Sequence, residues 1–476
     1  MGAVLIHPPC RAIHVTRHAL ILGNNLTGLV TAYRLLHYGF HISLIDIPHC
    51  LQPTDQLIGA RESGTLSSSN HVSTAAKHQT IPFVLHGFYH QTWALLQELS
   101  VEWPIQPSQS VGLEFGGEEG KPITLPPPLR LSWVPPLTRL LFVKGLSWRD
   151  RWHVINFLEK QWEEHRLPQH YPDTESAETW LIAAQQSESS RTHFWNPLCR
   201  FFLNCDLPDA SLDVFIEVLS RFWFGKSHDA ATFLMPPETL ENLETALRQF
   251  LNKKGVTFHT SDASPTLQTN AEGIHAVEWS KHRLQAQIYI STLPPQDLLA
   301  LLPERALARY ASLSSLAHIP VSYALAIQVS LPDLLLPPRL ILHEDPFDWI
   351  TCMPRAPFSS PETVITCVIL RDSIAHVHTE QWLIDNAWRC LQRLFNLSST
   401  QMQVSCKPQI IQPVGPLYPC LRGTRTHRPL PQAPILNLFL AGPWMASNLP
   451  SSLESSIHSA NACAATVAST LYGTLD

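Results

Sequence analysis

The sequence predicts an α/β protein in which a dinucleotide-binding domain is interleaved along the chain with an α+β domain. Three patterns in its 476 residues carry that prediction. A strand-turn-helix-strand unit opens after residue 17, a helix followed by strands returns near residue 240, and a strand leading into a long small-residue helix closes the chain. Pieces of one sheet spaced this widely imply a second domain between them. Composition narrows the class further. Charged residues make up 15% against 45% hydrophobic, so much of the chain is buried or faces something apolar. With 33 Lys and Arg against 39 Asp and Glu the net charge is −6, which offers no basic field to a phosphate backbone, and nucleic acid is not an expected partner.

The opening unit is HALILGNNLTGLVTAYRLLHYGFHISLID, His18 to Asp46. Ala19 to Leu22 is a short apolar run of the buried-strand type. Gly23, Asn25 and Gly28 then occupy the three positions of GxGxxG, and Leu29, Val30, Ala32, Leu35 and Leu36 follow at helical spacing. Gly39 caps the helix, and a second strand ends in Asp46, 23 residues after Gly23 (46 − 23). Such a turn aims the free N–H groups of a helix start at a pyrophosphate, and the acid binds ribose hydroxyls. Asn25 stands where a glycine normally admits the phosphate, so its side chain is expected to obstruct that approach. An ordinary strand-turn-helix with two glycines would leave the same local pattern.

Further along, Tyr89 to Leu99 reads as a helix on which His86 and His90 are spaced four apart. No HExxH or acidic companion follows, so no metal site is expected. Lys121 to Leu146 mixes Pro, Leu and Trp with Arg130, Arg139 and Lys144. That mixture suits an anionic membrane surface, the mouth of a lipid pocket, or a proline-stiffened loop packed on its own core. Helices are predicted over Arg149 to Glu164, Glu178 to Gln186 and Ser211 to Phe224, with Asn196-Pro197 starting a turn into another. Cys199 and Cys205 read as buried apolar cysteines. A helix from Glu238 to Lys253 ends at Gly255 and leads to strands at Val256 to His259, Ile274 to Trp279 and Gln287 to Ile290.

The last third adds strands at Val321 to Val329 and Val364 to Leu370 and a helix from Thr379 to Leu394. Leu438 to Ala441 is a strand, Gly442 a turn, and Ser452 to Leu471 a helix rich in Ala, Ser and Cys that permits close packing. Ser451-x-x-Glu454 has the form of a capping box, which gives Glu454 a bond to its own helix start. Forty prolines against 19 glycines imply stiff connections. Ten cysteines without a CxxC pair, no signal-like start and no run of 18 apolar residues lead us to expect a reduced, cytoplasmic chain that does not span a bilayer, though it could lie on the inner face of one.

Taken together, these segments resemble the amine-oxidase-like flavoproteins, and within them the squalene-associated, phytoene-desaturase-like group of hydroxysqualene dehydroxylases. The stretches that carry the resemblance are FWNPLCRFFLNCDLPDASLDVFIEVLSRFWFG, LMPPETLENLETALRQFLNKKGVTFHT, STLPP and the C-terminal LAGPWMASNLPSSLESSIHSA. Similarity runs from about residue 18 to the end. The departures are Asn25, Pro443 in place of an acid after Leu-Ala-Gly, Gln79 to Phe83 in place of Asp-Asn-Gly-Gln-His, and a Gly-Gly-Arg motif reduced to Gly59-Ala60-Arg61.

The resemblance implies a Rossmann-like FAD-binding domain from residues 18–85, 231–298 and 421–476, a substrate domain from 86–230 and 299–420, and an extension over 1–17. It implies FAD as cofactor, with Gly23, Asn25, Gly28, Asp46 and Arg61 at the adenine nucleotide half and pyrophosphate. Gly442, Ser452 and Leu453 would lie by the flavin ring. It implies a long-chain isoprenoid substrate, hydroxysqualene reduced to squalene with loss of water, and partner enzymes of squalene synthesis. Asp348, before Trp349 in a pocket strand, is the candidate for a polar substrate contact, with a surface or turn acid as the plainer reading. Two other readings stay open: a non-catalytic member with a degenerate flavin site, and an oxidative carotenoid-type desaturase.

Overall fold

The computed structural model describes residues 17–47, 82–100, 110–116, 122–128, 136–165, 171–261, 263–270, 273–355, 362–370, 379–395 and 409–472. Strand β1 (His18–Leu22), helix α1 (Leu26–His37) and strand β2 (His41–Asp46) form the opening unit. Helix α1 ends where the chain turns through Gly39 at φ +78°. Then come β3 (Phe83–His86), α2 (His90–Glu98), β4 (Leu113–Phe115) and β5 (Ile123–Leu125). Helices α3 (Trp148–His165), α4 (Asn196–Leu203) and α5 (Leu212–Phe224) precede β6 (Thr232–Met235) and α6 (Pro237–Lys253). Strands β7 (Thr257–Thr260), β8 (Thr266–Thr269), β9 (Ile274–Trp279), β10 (His282–Leu284) and β11 (Ile288–Ser291) follow. The remainder is β12 (Ser322–Pro332), β13 (Arg339–Glu344), β14 (Phe347–Arg355), β15 (Glu362–Leu370), α7 (Glu380–Phe395), β16 (Gln409–Leu417), β17 (Leu438–Leu440) and α8 (Leu453–Tyr472).

A parallel five-stranded sheet in the order β17-β11-β1-β2-β7 draws its strands from residues 18–46, 257–291 and 438–440. Parallel strands are buried on both faces, which is why Ala19 to Leu22 and Leu438 to Leu440 are uninterrupted apolar runs. Helices α1 and α8 cover one face. Leu29, Val30 and Ala32 meet Ile457, Ala460, Cys463 and Ala464 there, and the small residues of α8 let the two helices approach closely. The antiparallel sheet β10-β9-β8 is an excursion on the other side, its Val277 and Trp279 packing with Leu20 and Leu22.

The second body is a seven-stranded mixed sheet, β16-β12-β15-β14-β13-β4-β5. Alternation along β13 sends Leu340 and Leu342 toward the helices of residues 148–224, while Ile341 faces α7 on the opposite side. The pair β3-β6 lies in the same large core as those helices.

Candidate functional site

The loop after β1 shows why its two glycines are required. Gly23 sits at φ +117°, and a methyl group there would run into Thr292 Oγ1. A methyl at Gly28 would strike the Gly23 carbonyl oxygen. One glycine makes the turn, and the other lets α1 start hard against it. Asn25, the residue expected to obstruct that approach, has a structural role of its own. It is the N-cap of α1: its Oδ1 accepts from Gly28 N at 3.0 Å, and its Nδ2 donates to Thr292 O at 2.8 Å. The amide thus ties α1 to the residue after β11, and the Gly28 N–H is already satisfied. Asp46 is exposed at the carboxyl end of β2. Arg248 of α6, which sequence patterning does not single out, donates to the Asn24 side chain and to Asn24 O at 3.0 Å, bringing a guanidinium to the same turn. Gly59, Ala60, Arg61 and residues 79–81 lie outside the described residues.

On the C-terminal side Gly442 follows β17, with its N–H held by Ser459 Oγ at 2.6 Å and the Trp444 indole where a side chain would be. The capping box of α8 is Ser452 with Ser455, one residue beyond the predicted pair. Ser452 Oγ accepts from Ser455 N at 3.2 Å, and Ser455 Oγ accepts from Ser452 N at 2.8 Å. Glu454 caps a different helix. Its buried carboxylate accepts from Gln91 N at 3.0 Å, Thr92 N at 2.9 Å and Thr92 Oγ1 at 2.7 Å, closing the start of α2. Leu453 packs into both large cores, and the Tyr89 hydroxyl lies near Ser452. Burial pushes the Tyr89 hydroxyl above its ordinary range.

Asp348 is on strand β14 and 5% exposed, not on the surface or in a turn. One carboxylate oxygen pairs with Arg200 Nε and the other accepts from Leu370 N at 2.6 Å. Arg200, from the FWNPLCRFFLNC stretch, also grips Asp206 at 2.7 Å. Burial alone would lower Arg200, but the two carboxylates outweigh it and hold the guanidinium above its usual range. Both Asp348 oxygens are therefore engaged, one joining α4 to the seven-stranded sheet through Arg200 and the other bonding β14 to β15 within that sheet. His86 and His90 do not share a helix face: His86 ends β3 and is buried, whereas His90 starts α2 and pairs with Asp229 at 2.8 Å. Cys199 is buried as expected, and Cys205 is half-buried. Among the described residues no group of His, Cys, Asp or Glu is arranged to hold a metal ion.

His86 and Arg139, named separately in the sequence, are brought together in one buried aromatic cluster. His86 stacks on Phe88 at 5.1 Å and is surrounded by Tyr89, Phe201, Phe202 and Phe222. Burial, with Arg139 adding to it, pulls its pKa down to about 3, so the ring is neutral at pH 7. Arg139 lies over Phe222 at 4.3 Å and Trp223 at 4.6 Å, and burial draws it down to about 9. Its Nη1 donates to Ala230 O at 3.2 Å. Arg139 Nε and Nη2 and Trp223 Nε1 are buried donors with no acceptor among the described residues. A path of contacts, Ser452 to Tyr89 to His86 to Phe222 to Arg139, leads from the start of α8 into this aromatic wall.

Residues 80–468 match the flavin containing amine oxidoreductase family. The chain belongs to that family. FAD is its cofactor, and the described residues fit the adenosine diphosphate half of it: two glycines that admit no side chain, a helix start behind them, and an exposed acid at the end of β2. The match begins after the β1-α1-β2 unit, so that unit is assigned on its own geometry. Among solved structures this flavin amine oxidoreductase is similar in fold to an oxidoreductase from Methanosarcina mazei, at 14% identity and TM-score 0.65, covering 94% of this chain and 99% of that one. Cyclohexylamine oxidase from Brevibacterium oxydans IH-35A gives 14% identity and TM-score 0.63, with 96% and 100% covered. Putrescine oxidase bound to putrescine gives 12% and 0.61, with 95% and 98% covered. No curated protein matches the sequence significantly.

Proposed function

We propose that this flavin-dependent oxidoreductase acts on a long, apolar isoprenoid alcohol, reducing hydroxysqualene to squalene with loss of water. The observation that supports the reading is the buried aromatic wall and the donors within it, Arg139 Nε and Nη2 and Trp223 Nε1, that have no acceptor among the described residues. A buried donor left unpaired costs about 1–3 kcal/mol, which an incoming oxygen would return. Reduced FAD supplies a hydride and a proton, so that R–OH becomes R–H and water. The chain's part is to hold the alcohol oxygen at Arg139 Nη2 and Trp223 Nε1 and to ease its departure by donating hydrogen bonds as negative charge grows. The faces of Phe202 and Phe222 favour positive charge on the allylic carbon. His86, neutral at pH 7, adds no competing cation.

Anaerobic incubation of the chemically reduced protein with hydroxysqualene should yield squalene in a single turnover. Its absence overturns the reading, and a more unsaturated product from the oxidised protein would point to a desaturase instead. Arg139→Met should lower kcat/KM by about a hundredfold or more, while the melting temperature without substrate changes little, because the relief of a buried cation offsets the loss of its ring contacts and its bond to Ala230 O.

A second reading, a family member without catalysis, is favoured by one specific observation. Three backbone N–H groups at residues that the resemblance assigns to the dinucleotide are satisfied internally: Gly28 by Asn25, Gly442 by Ser459 and Ser452 by Ser455. The visible spectrum after reconstitution with FAD separates the two. Stoichiometric flavin absorbance favours the first reading, and none at all favours the second.

A further inference from the structure

We infer that residues 141–152 form a preformed docking patch for an anionic lipid surface. Four large apolar side chains point outward within this short stretch: Leu141 is 42% exposed, Phe142 61%, Trp148 64% and Trp152 53%. The same segment is anchored from behind. Leu140, Val143, Leu146, Val154 and Ile155 are in the large core, so the outward residues are not there for want of a buried position. The 3-10 helix Pro136–Phe142 ends in Leu141 and Phe142, and Trp148 and Trp152 lie one above the other on the first turns of α3.

The two pieces are held together by specific bonds. Arg151 donates to Leu146 O at 3.1 Å and Leu141 O at 3.2 Å, and Lys144 exchanges two backbone bonds with Thr124. Ser147 caps α3 at Asp150 N, 3.0 Å away. The patch is therefore shaped before anything meets it, and little order has to be imposed on docking.

Charge selects the occupant. In a chain of net charge −6, exposed Lys144 and Arg149 and half-buried Arg151 surround the four apolar side chains. The single acid among them, Asp150, is bound by Ser147 and Ser187. Aromatic side chains interleaved with basic ones suit the headgroup level of an anionic leaflet, where rings enter the acyl boundary and cations remain with phosphates. Among the described residues no helix is long and apolar enough to cross a membrane, so attachment through this patch is peripheral. This inference does not depend on which alcohol the enzyme reduces.

Flotation of the full chain with vesicles tests it. Phosphatidylcholine vesicles carrying phosphatidylglycerol should carry the protein upward, and phosphatidylcholine alone should do so much less. Phe142→Ser combined with Trp148→Ser and Trp152→Ser should weaken binding at least about tenfold. Lys144→Glu with Arg149→Glu should remove the preference for the anionic lipid and its salt dependence. Both variants alter exposed side chains, and unchanged circular dichroism and melting establish that they fold. Failure of the wild-type protein to float, equal binding to both vesicle types, or undiminished binding by the triple variant would overturn the proposal. So would a concentration-dependent dimer that the triple variant abolishes, because the patch would then be covered by a second copy.

Discussion

At position 25 one amide side chain caps a helix and bridges to a strand end 267 residues away in sequence. That contact explains a polar residue at the middle position of the fingerprint, and it sets up opposing effects for its removal. Asn25→Gly should tighten FAD, because the Gly28 N–H is released and the backbone is opened to phosphate. The same change should lower the stability of the flavin-free protein by about 1 kcal/mol, through a lost cap and a lost bond to Thr292 O. Flavin fluorescence titration and urea unfolding measure the two quantities. The GxNxxG spacing was readable from the chain, but the direction of the side chain was not, since nothing local indicates Thr292 as its acceptor. His86 yields a prediction of its own. Below pH 6.5 the unfolded chain takes up a proton on this ring while the folded one does not until about pH 3. Stability should therefore fall as pH drops through that window, by at most about 1.4 kcal/mol per unit from this residue. His86→Phe should flatten the slope in urea unfolding measured between those limits. The spacing of His86 from His90 pointed to a shared helix face rather than to this cluster, and nothing local joined it to Arg139, because their partners are aromatic rings gathered from three separate stretches of chain.

Helices were more legible than their junctions. The apolar spacing of α1, α5, α6 and α8 marks them within a residue or two of their observed ends, because each lays one stripe on a core. Strand β13 was missed, and β14 was read only around Asp348 and Trp349: apolar residues on both faces remove the alternation that distinguishes a strand. The Ser-x-x-Glu pattern at 451–454 misled for a related reason. Any nearby helix start can accept a buried carboxylate, and α2 rather than α8 presents the open N–H groups. Glu454→Gln keeps the shape but turns a donor toward one of those groups, so it should cost about 2–3 kcal/mol in urea unfolding. The Arg34 pair with Glu98 at the far end of α2 is more exposed and should contribute less than about 1 kcal/mol.

On the scale of the molecule, the five-stranded sheet is assembled from three stretches of chain, with the seven-stranded sheet contributed by the intervals. The interleaving was readable because the β-α-β start, the 238–290 region and the C-terminal strand and helix each carry the signature of a parallel layer. Their relative order in the sheet was not, since strand neighbours are chosen by tertiary packing. A chain ending at residue 430 lacks β17 and α8 and with them the helix packed against α1. Such a fragment should neither bind FAD nor unfold cooperatively, as visible absorbance and calorimetry would show. The full chain should gain about 2.7 kcal/mol when FAD is supplied at a hundred times its Kd.

Strand β17 begins 420 positions after β1 (438 − 18) and pairs with β11, the direct neighbour of β1. During synthesis at roughly 5–20 residues per second, β1 must wait on the order of 20–80 s before the last strand of its layer has left the ribosome. Throughout that interval one edge of a strongly apolar layer stands open, so newborn chains need shelter by a chaperone. Yield in a cell should respond more to holdase supply than to the stability of the finished protein.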